Sequence, residues 1–98
     1  MENKYQIKIE RIKAVSFGSC VAFCDISIMD AFVVKGLRII NGKNGFFVSM
    51  PSEKGKDGKY YDTVYTKTPE IKEELERIVL DRYKDVDIAP TNAEGYYP

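Results

Sequence analysis

The sequence predicts an α+β domain: a twisted antiparallel sheet of about five strands in a meander, with one C-terminal amphipathic helix packed on it. Three observations predict it. Apolar and polar residues alternate through the first two thirds of the chain, where β-branched and aromatic residues are abundant. Asn-Gly and Asp-Gly pairs, the strongest short hairpin signals, recur at Asn41-Gly42, Asn44-Gly45 and Asp57-Gly58. After Thr68 the apolar period lengthens from that of a strand to that of a helix. At 98 residues the chain has room for one domain, expected over residues 1–85, with residues 86–98 as a mobile tail lacking either periodicity.

In the first strand Tyr5, Ile7 and Ile9 share a face, whereas Ile12 and Ala14 continue on the other parity, which predicts a bulge near Glu10 or Arg11. Ser16 to Ser19, containing Gly18, turns the chain. The second strand is expected to bury Cys20, Ala22, Cys24, Ile26 and Ile28 on one face and to show a mixed, partly wet face of Val21, Phe23, Asp25 and Ser27. The third follows from Phe32 to Ile40, with Gly36 marking a second bulge or a close backbone approach. Asn41 to Gly45 is a turn that returns Phe46 to Met50 as an antiparallel fourth strand, ended by Pro51. Ser52 to Gly58 reads as a loop, and Lys59 to Tyr65 as the fifth strand.

Thr68-Pro69-Glu70 is a helix start: an N-cap hydroxyl, a proline at the first position where its missing donor costs nothing, and a carboxylate at the positive end of the dipole. Ile71, Leu75, Ile78, Val79 and Tyr83 form one stripe, flanked by Leu80. On the far face, Lys72 with Glu76 and Glu73 with Arg77 are expected as solvated i,i+4 pairs, each worth only ~0.2 to 0.5 kcal/mol. One helix covers such a sheet only partly, so dimerisation is expected, an outer strand pairing with its copy to continue the sheet across a two-fold axis.

Composition narrows the function. With 44% hydrophobic and 31% charged residues, the chain is too apolar for full disorder and too polar for a membrane protein, and no apolar run approaches the ~20 residues of a spanning helix. Its start does not read as a secretory signal, so a cytoplasmic location is expected. Histidine is absent, which removes the usual general base near neutral pH and the commonest nitrogen metal ligand. Cys20 and Cys24 lack metal-site spacing and, if both lie on one strand face ~13 Å apart, are too distant for a disulfide; they read as reduced core thiols. The acids Asp25, Asp30, Asp57 and Asp62 form no catalytic or calcium-loop motif, and Gly42 to Gly45 lies between two strands rather than in a phosphate-gripping strand-loop-helix. No enzyme, metal or cofactor is expected.

Zero net charge conceals a dipole. Residues 31–67 carry seven basic against three acidic residues, and residues 68–98 carry four against eight. Lys43, Lys54, Lys56 and Lys59 fall on hairpin loops and, should two turns meet at one end of the sheet, make a positive patch beside Tyr60 and Tyr61. Such lysines either grip phosphates sequence-tolerantly or simply keep the domain soluble. Tyr60 and Tyr61 face opposite sides, so only one serves a given surface and one of the two is expected in the core. Arg38 either reaches a phosphate or pairs with Asp25 or Asp62.

The runs Asp30-Ala31-Phe32-Val33-Val34, Leu37-Arg38-Ile39-Ile40-Asn41-Gly42 and Gly45-Phe46-Phe47-Val48-Ser49-Met50-Pro51-Ser52 resemble the septation protein SpoVG family. The likeness continues through Asp57-Gly58, Asp62 and Val79-Leu80-Asp81-Arg82-Tyr83, and covers roughly residues 5–84. It implies a small bacterial cytoplasmic protein, generally dimeric, tied to sporulation and to negative control of asymmetric septum formation, with members that bind DNA and RNA as regulators. Family members commonly carry two adjacent basic residues after the Met-Pro-Ser, a region to which nucleic-acid contacts are attributed. Here the first is Glu53 and the second Lys54, with Lys56 and Lys59 as further lysines; Tyr65-Thr66 stands in place of the family's His-Pro. The resulting expectation is a homodimeric DNA- or RNA-binding regulator using Lys54, Lys56, Lys59 and Lys43. The alternative is an interaction module that holds a division or sporulation partner through a sheet edge or the acidic helix.

Overall fold

The computed structural model describes residues 4–85, and the expected tail at 86–98 lies outside them. Strands β1 (Ile7–Phe17), β2 (Cys20–Ile28), β3 (Phe32–Gly42) and β4 (Gly45–Ser49) form an antiparallel sheet in that order. Strands β5 (Ser52–Lys54) and β6 (Tyr60–Asp62) pair separately as a two-stranded ribbon, and helix α1 (Pro69–Tyr83) completes the α+β fold. The expected fifth strand therefore shortens to β6 and leaves the main sheet. Its partner is β5, the polar Ser-Glu-Lys segment read from sequence as loop; three residues without apolar alternation carry no strand signal of their own.

Bulges decide which side chains are inside. The register of β1 on β2 shifts between Ile9 and Arg11, as the change of parity predicted. In β3 Val34 pairs with Ile26 and Leu37 with Cys24, so Lys35 and Gly36 are the extra length that lets two residues three apart face the same core. Gly36 takes φ 90°, which favours glycine, and donates its N–H to Asp25 Oδ1 at 3.1 Å. Asp25 is thereby buried at 4% exposure, on a face expected to be partly wet.

A third shift, between Cys20 and Ala22 against Ile40 and Ile39, corrects the expected face of β2. Ala22, Cys24 and Ile26 join the main core, together with Ile7, Leu37, Ile39, Val48, Met50, Leu75 and Val79. Cys20 is buried apart from that cluster, whereas Val21, expected on the mixed face, packs against it. One slipped residue exchanges the faces of its neighbours.

Helix α1 begins as its sequence predicts, with the Thr68 side chain accepting from Ile71 N at 3.3 Å and Pro69 in the first turn. Leu75 and Val79 are its buried residues, and it packs against both outer strands, β1 and β4. Glu76 departs from the solvated pairing expected of it. Its Oε2 lies 3.6 Å from Lys72 Nζ and also accepts the Val48 N–H at 2.9 Å, tying the helix to β4. At Val48, then, the outer strand already has its hydrogen-bond partner. No helix among the described residues is long and apolar enough to cross a membrane.

Candidate nucleic-acid interface

The ribbon is built around a tight, hydrogen-bonded turn. Gly55 N–H donates to Lys59 O at 2.7 Å and Gly58 N–H to Gly55 O at 3.0 Å, with Gly58 at φ 84° supplying the left-handed residue that closes such hairpins. Asp57 locks the loop from within: its Oδ1 accepts Lys59 N–H at 3.0 Å, and its Oδ2 accepts the Tyr61 hydroxyl at 2.5 Å. The Tyr61 hydrogen bond, followed by that from the Lys59 backbone, holds the Asp57 carboxyl below its ordinary range; the same bond raises the Tyr61 phenol. The Tyr61 ring lies so close over Gly55 that an added Cβ would stand 2.9 Å from Cε2. Lys54, Lys56 and Lys59 project from this frame, all exposed.

Register sorts the ribbon's faces. Lys54 pairs with Tyr60 and Ser52 with Asp62, so these four share one face; Glu53 pairs with Tyr61 on the other. Glu53 thus points away from Lys54 rather than neutralising it. Tyr60, 69% exposed, lines a cleft of about 270 Å³ with Gly36, Arg38, Pro51 and Ser52. Sequence reasoning expected one tyrosine in the core, yet both are exposed, because the ribbon stands apart from the main sheet. Arg38 lines the cleft, and Asp25, one of the two carboxylates named as its possible partner, accepts the Gly36 N–H on Oδ1.

Lys43 occupies the β3–β4 turn, and the whole of β4 runs between that turn and the chain's entry into the ribbon. The structure brings Lys54, Lys56 and Lys59 together on one hairpin, with Lys43 at the opposite end of β4. Arg38 and the Tyr60 cleft carry no motif in sequence, since strands from two different sheets assemble them.

A family model described as SpoVG matches residues 2–85. The chain belongs to the SpoVG family. Relatives bearing SpoVG septation-protein names include one from Agathobacter rectalis, 36% identical over 81% of this chain and 92% of its own length. One from Archaeoglobus fulgidus is 36% identical over 74% and 86%, and one from Fusobacterium nucleatum 30% identical over 83% and 87%. For this SpoVG chain the names support a link to septation, and none denotes an enzyme.

Other features of this family member offer little chemistry. Cys20 and Cys24 are free, buried thiols; burial, reinforced by the Asp25 charge, pushes Cys24 up to about 12, so at neutral pH it stays protonated and weakly nucleophilic. Among the described residues no group of three or more His, Cys, Asp or Glu side chains is arranged to hold a metal ion. Tyr65 and Thr66, in place of the His-Pro that the resemblance implies, border an apolar cavity of about 200 Å³ beneath the start of α1, next to Leu75 and Met50.

Proposed function

We propose that this chain is a non-enzymatic DNA- or RNA-binding regulator linked to sporulation and to negative control of asymmetric septum formation, acting in the cytoplasm as a homodimer. The observation that carries the reading is the ribbon: three exposed lysines on a turn held rigid by Asp57 and Tyr61, with an exposed tyrosine in register with Lys54. Preorganised cations lose less freedom on meeting phosphates than lysines on a loose loop, and they bind a polyanion without reading sequence. Lys43 supplies a separate contact from the far end of β4, and the acidic charge of α1 keeps the helix side off the nucleic acid.

The test is fluorescence anisotropy of the purified protein with labelled duplex DNA and single-stranded RNA at two salt concentrations. Affinity is expected to fall steeply with salt. A Lys54→Ala, Lys56→Ala, Lys59→Ala triple variant is expected to bind at least about tenfold more weakly, with a salt slope shallower by ~2 to 3. Unchanged affinity in the triple variant removes the ribbon as the site, and absence of binding at low salt transfers the function to protein partners.

Self-association is supported by apolar side chains left outside the core. Phe17, in a tilted ring contact with Phe23 at 5.9 Å between centroids, and Phe47 are about half exposed, and Met29, Phe32 and Val33 are exposed at the β2–β3 end. Light scattering is expected to give about twice the 11.2 kDa chain mass. A monomer at micromolar concentration would overturn this part of the reading.

A further inference from the structure

We propose that the cleft between β3 and the ribbon is a subsite for one unpaired nucleotide: its base stacks on Tyr60, and its phosphates are held by Arg38 and Lys54. The inference rests on the nucleic-acid reading above and specifies the kind of strand that the site takes.

The two ribbon tyrosines have different tasks. Tyr61 is committed to the fold, its hydroxyl on Asp57 and its ring against Gly55. Tyr60 is displayed at 69% exposure on the opposite face, where its partner in register is Lys54. Directly opposed residues of an antiparallel pair hold their Cβ atoms ~4.5 to 5.5 Å apart, so the Lys54 and Tyr60 side chains leave the ribbon as neighbours on one face, Tyr60 lining the cleft and Lys54 outside its lining. Across the cleft is Arg38, held there by the β3 backbone, and next to it Gly36 contributes no side chain to fill the space. Asp62 shares the ribbon face but lies opposite Ser52, leaving the cationic end at Lys54.

Size and chemistry select the ligand. The cleft, about 270 Å³, is smaller than the ~300 to 1,000 Å³ of pockets for drug-sized molecules and suits a single ring system. An aromatic face flanked by two cations is the arrangement by which proteins hold single strands, one base on the ring and the backbone along the charges. In a duplex both faces of each base are already stacked, and turning one out costs unstacking and unpairing. An unpaired strand avoids that cost, so this subsite discriminates strandedness while remaining tolerant of sequence.

The test measures anisotropy of the full chain with short labelled DNA and RNA strands of one sequence, and with the DNA strand annealed to its complement. A strand carrying 2-aminopurine reports stacking directly by quenching. Either single strand is expected to bind about tenfold more tightly than the duplex, with quenching on binding. Tyr60→Leu is expected to lose about that factor on single strands and to abolish quenching, while Tyr60→Phe retains both. Exposure of Tyr60 makes either variant compatible with folding, and far-UV circular dichroism confirms it. Equal affinity for single strand and duplex, or a Tyr60→Leu variant with unaltered single-strand affinity, overturns the stacking subsite. If binding then still depends on Lys54, Lys56 and Lys59, the broader nucleic-acid reading stands; no salt-sensitive binding to any probe overturns both.

Discussion

Leu37→Ala is expected to destabilise the domain by about 2 to 5 kcal/mol. Leu37 is fully buried, opposite Cys24 in β2 and within the cluster that includes Val48 and Val79. Its removal costs the transfer of the lost carbons and leaves a cavity between sheet and helix that cannot close, because the neighbouring side chains are anchored in three strands. Against a typical total of ~5 to 15 kcal/mol, that is a large share of the stability of so small a domain. Urea denaturation checks it: the midpoint should fall steeply with an unchanged slope. Leu37→Met, which conserves volume, should cost less than ~1.5 kcal/mol. A Leu37→Ala loss below that of Leu37→Met would contradict the placement of Leu37 in the core.

Glu76→Ala should cost about 1 to 3 kcal/mol, far more than a solvated helix carboxylate is worth. Truncation strips the Val48 N–H of its acceptor at a residue with no exposed surface, and it unties α1 from β4. Glu76→Gln keeps a side-chain carbonyl oxygen in place and should restore most of the loss. Lys72→Ala, which removes only the ion pair at 3.6 Å, should change stability by no more than ~0.5 kcal/mol. Hydrogen exchange of the Val48 amide, read beside urea midpoints, separates the two contributions. Equal stability and equal Val48 protection in the Glu76→Ala and wild-type proteins would show that the contact contributes nothing.

The same residue shows why part of this molecule is hidden from its sequence. At i,i+4 from Lys72, Glu76 looks like half of an ordinary surface pair; only the helix's approach to β4 gives it an amide to accept from. The Tyr60 cleft is similar, since Gly36 and Arg38 come from β3 while Tyr60 comes from β6. By contrast, the lysine-bearing turn is legible residue by residue, because Asp57-Gly58 states its own backbone conformation.

What the sequence by itself determined is local: the alternation of β1 to β4, the bulges near Glu10 and at Gly36, the hairpin turns, and a helix starting at Thr68-Pro69. Each depends on backbone preferences spanning a few residues, so each is written where it acts. Tertiary structure decided the rest: the withdrawal of β5 and β6 into their own ribbon, the inward turn of Val21 and displacement of Cys20, the recruitment of Glu76 to Val48, and the separation of Lys43 from the other lysines. Those outcomes depend on which distant surfaces bury against one another, and that free energy belongs to pairs of segments rather than to either segment alone.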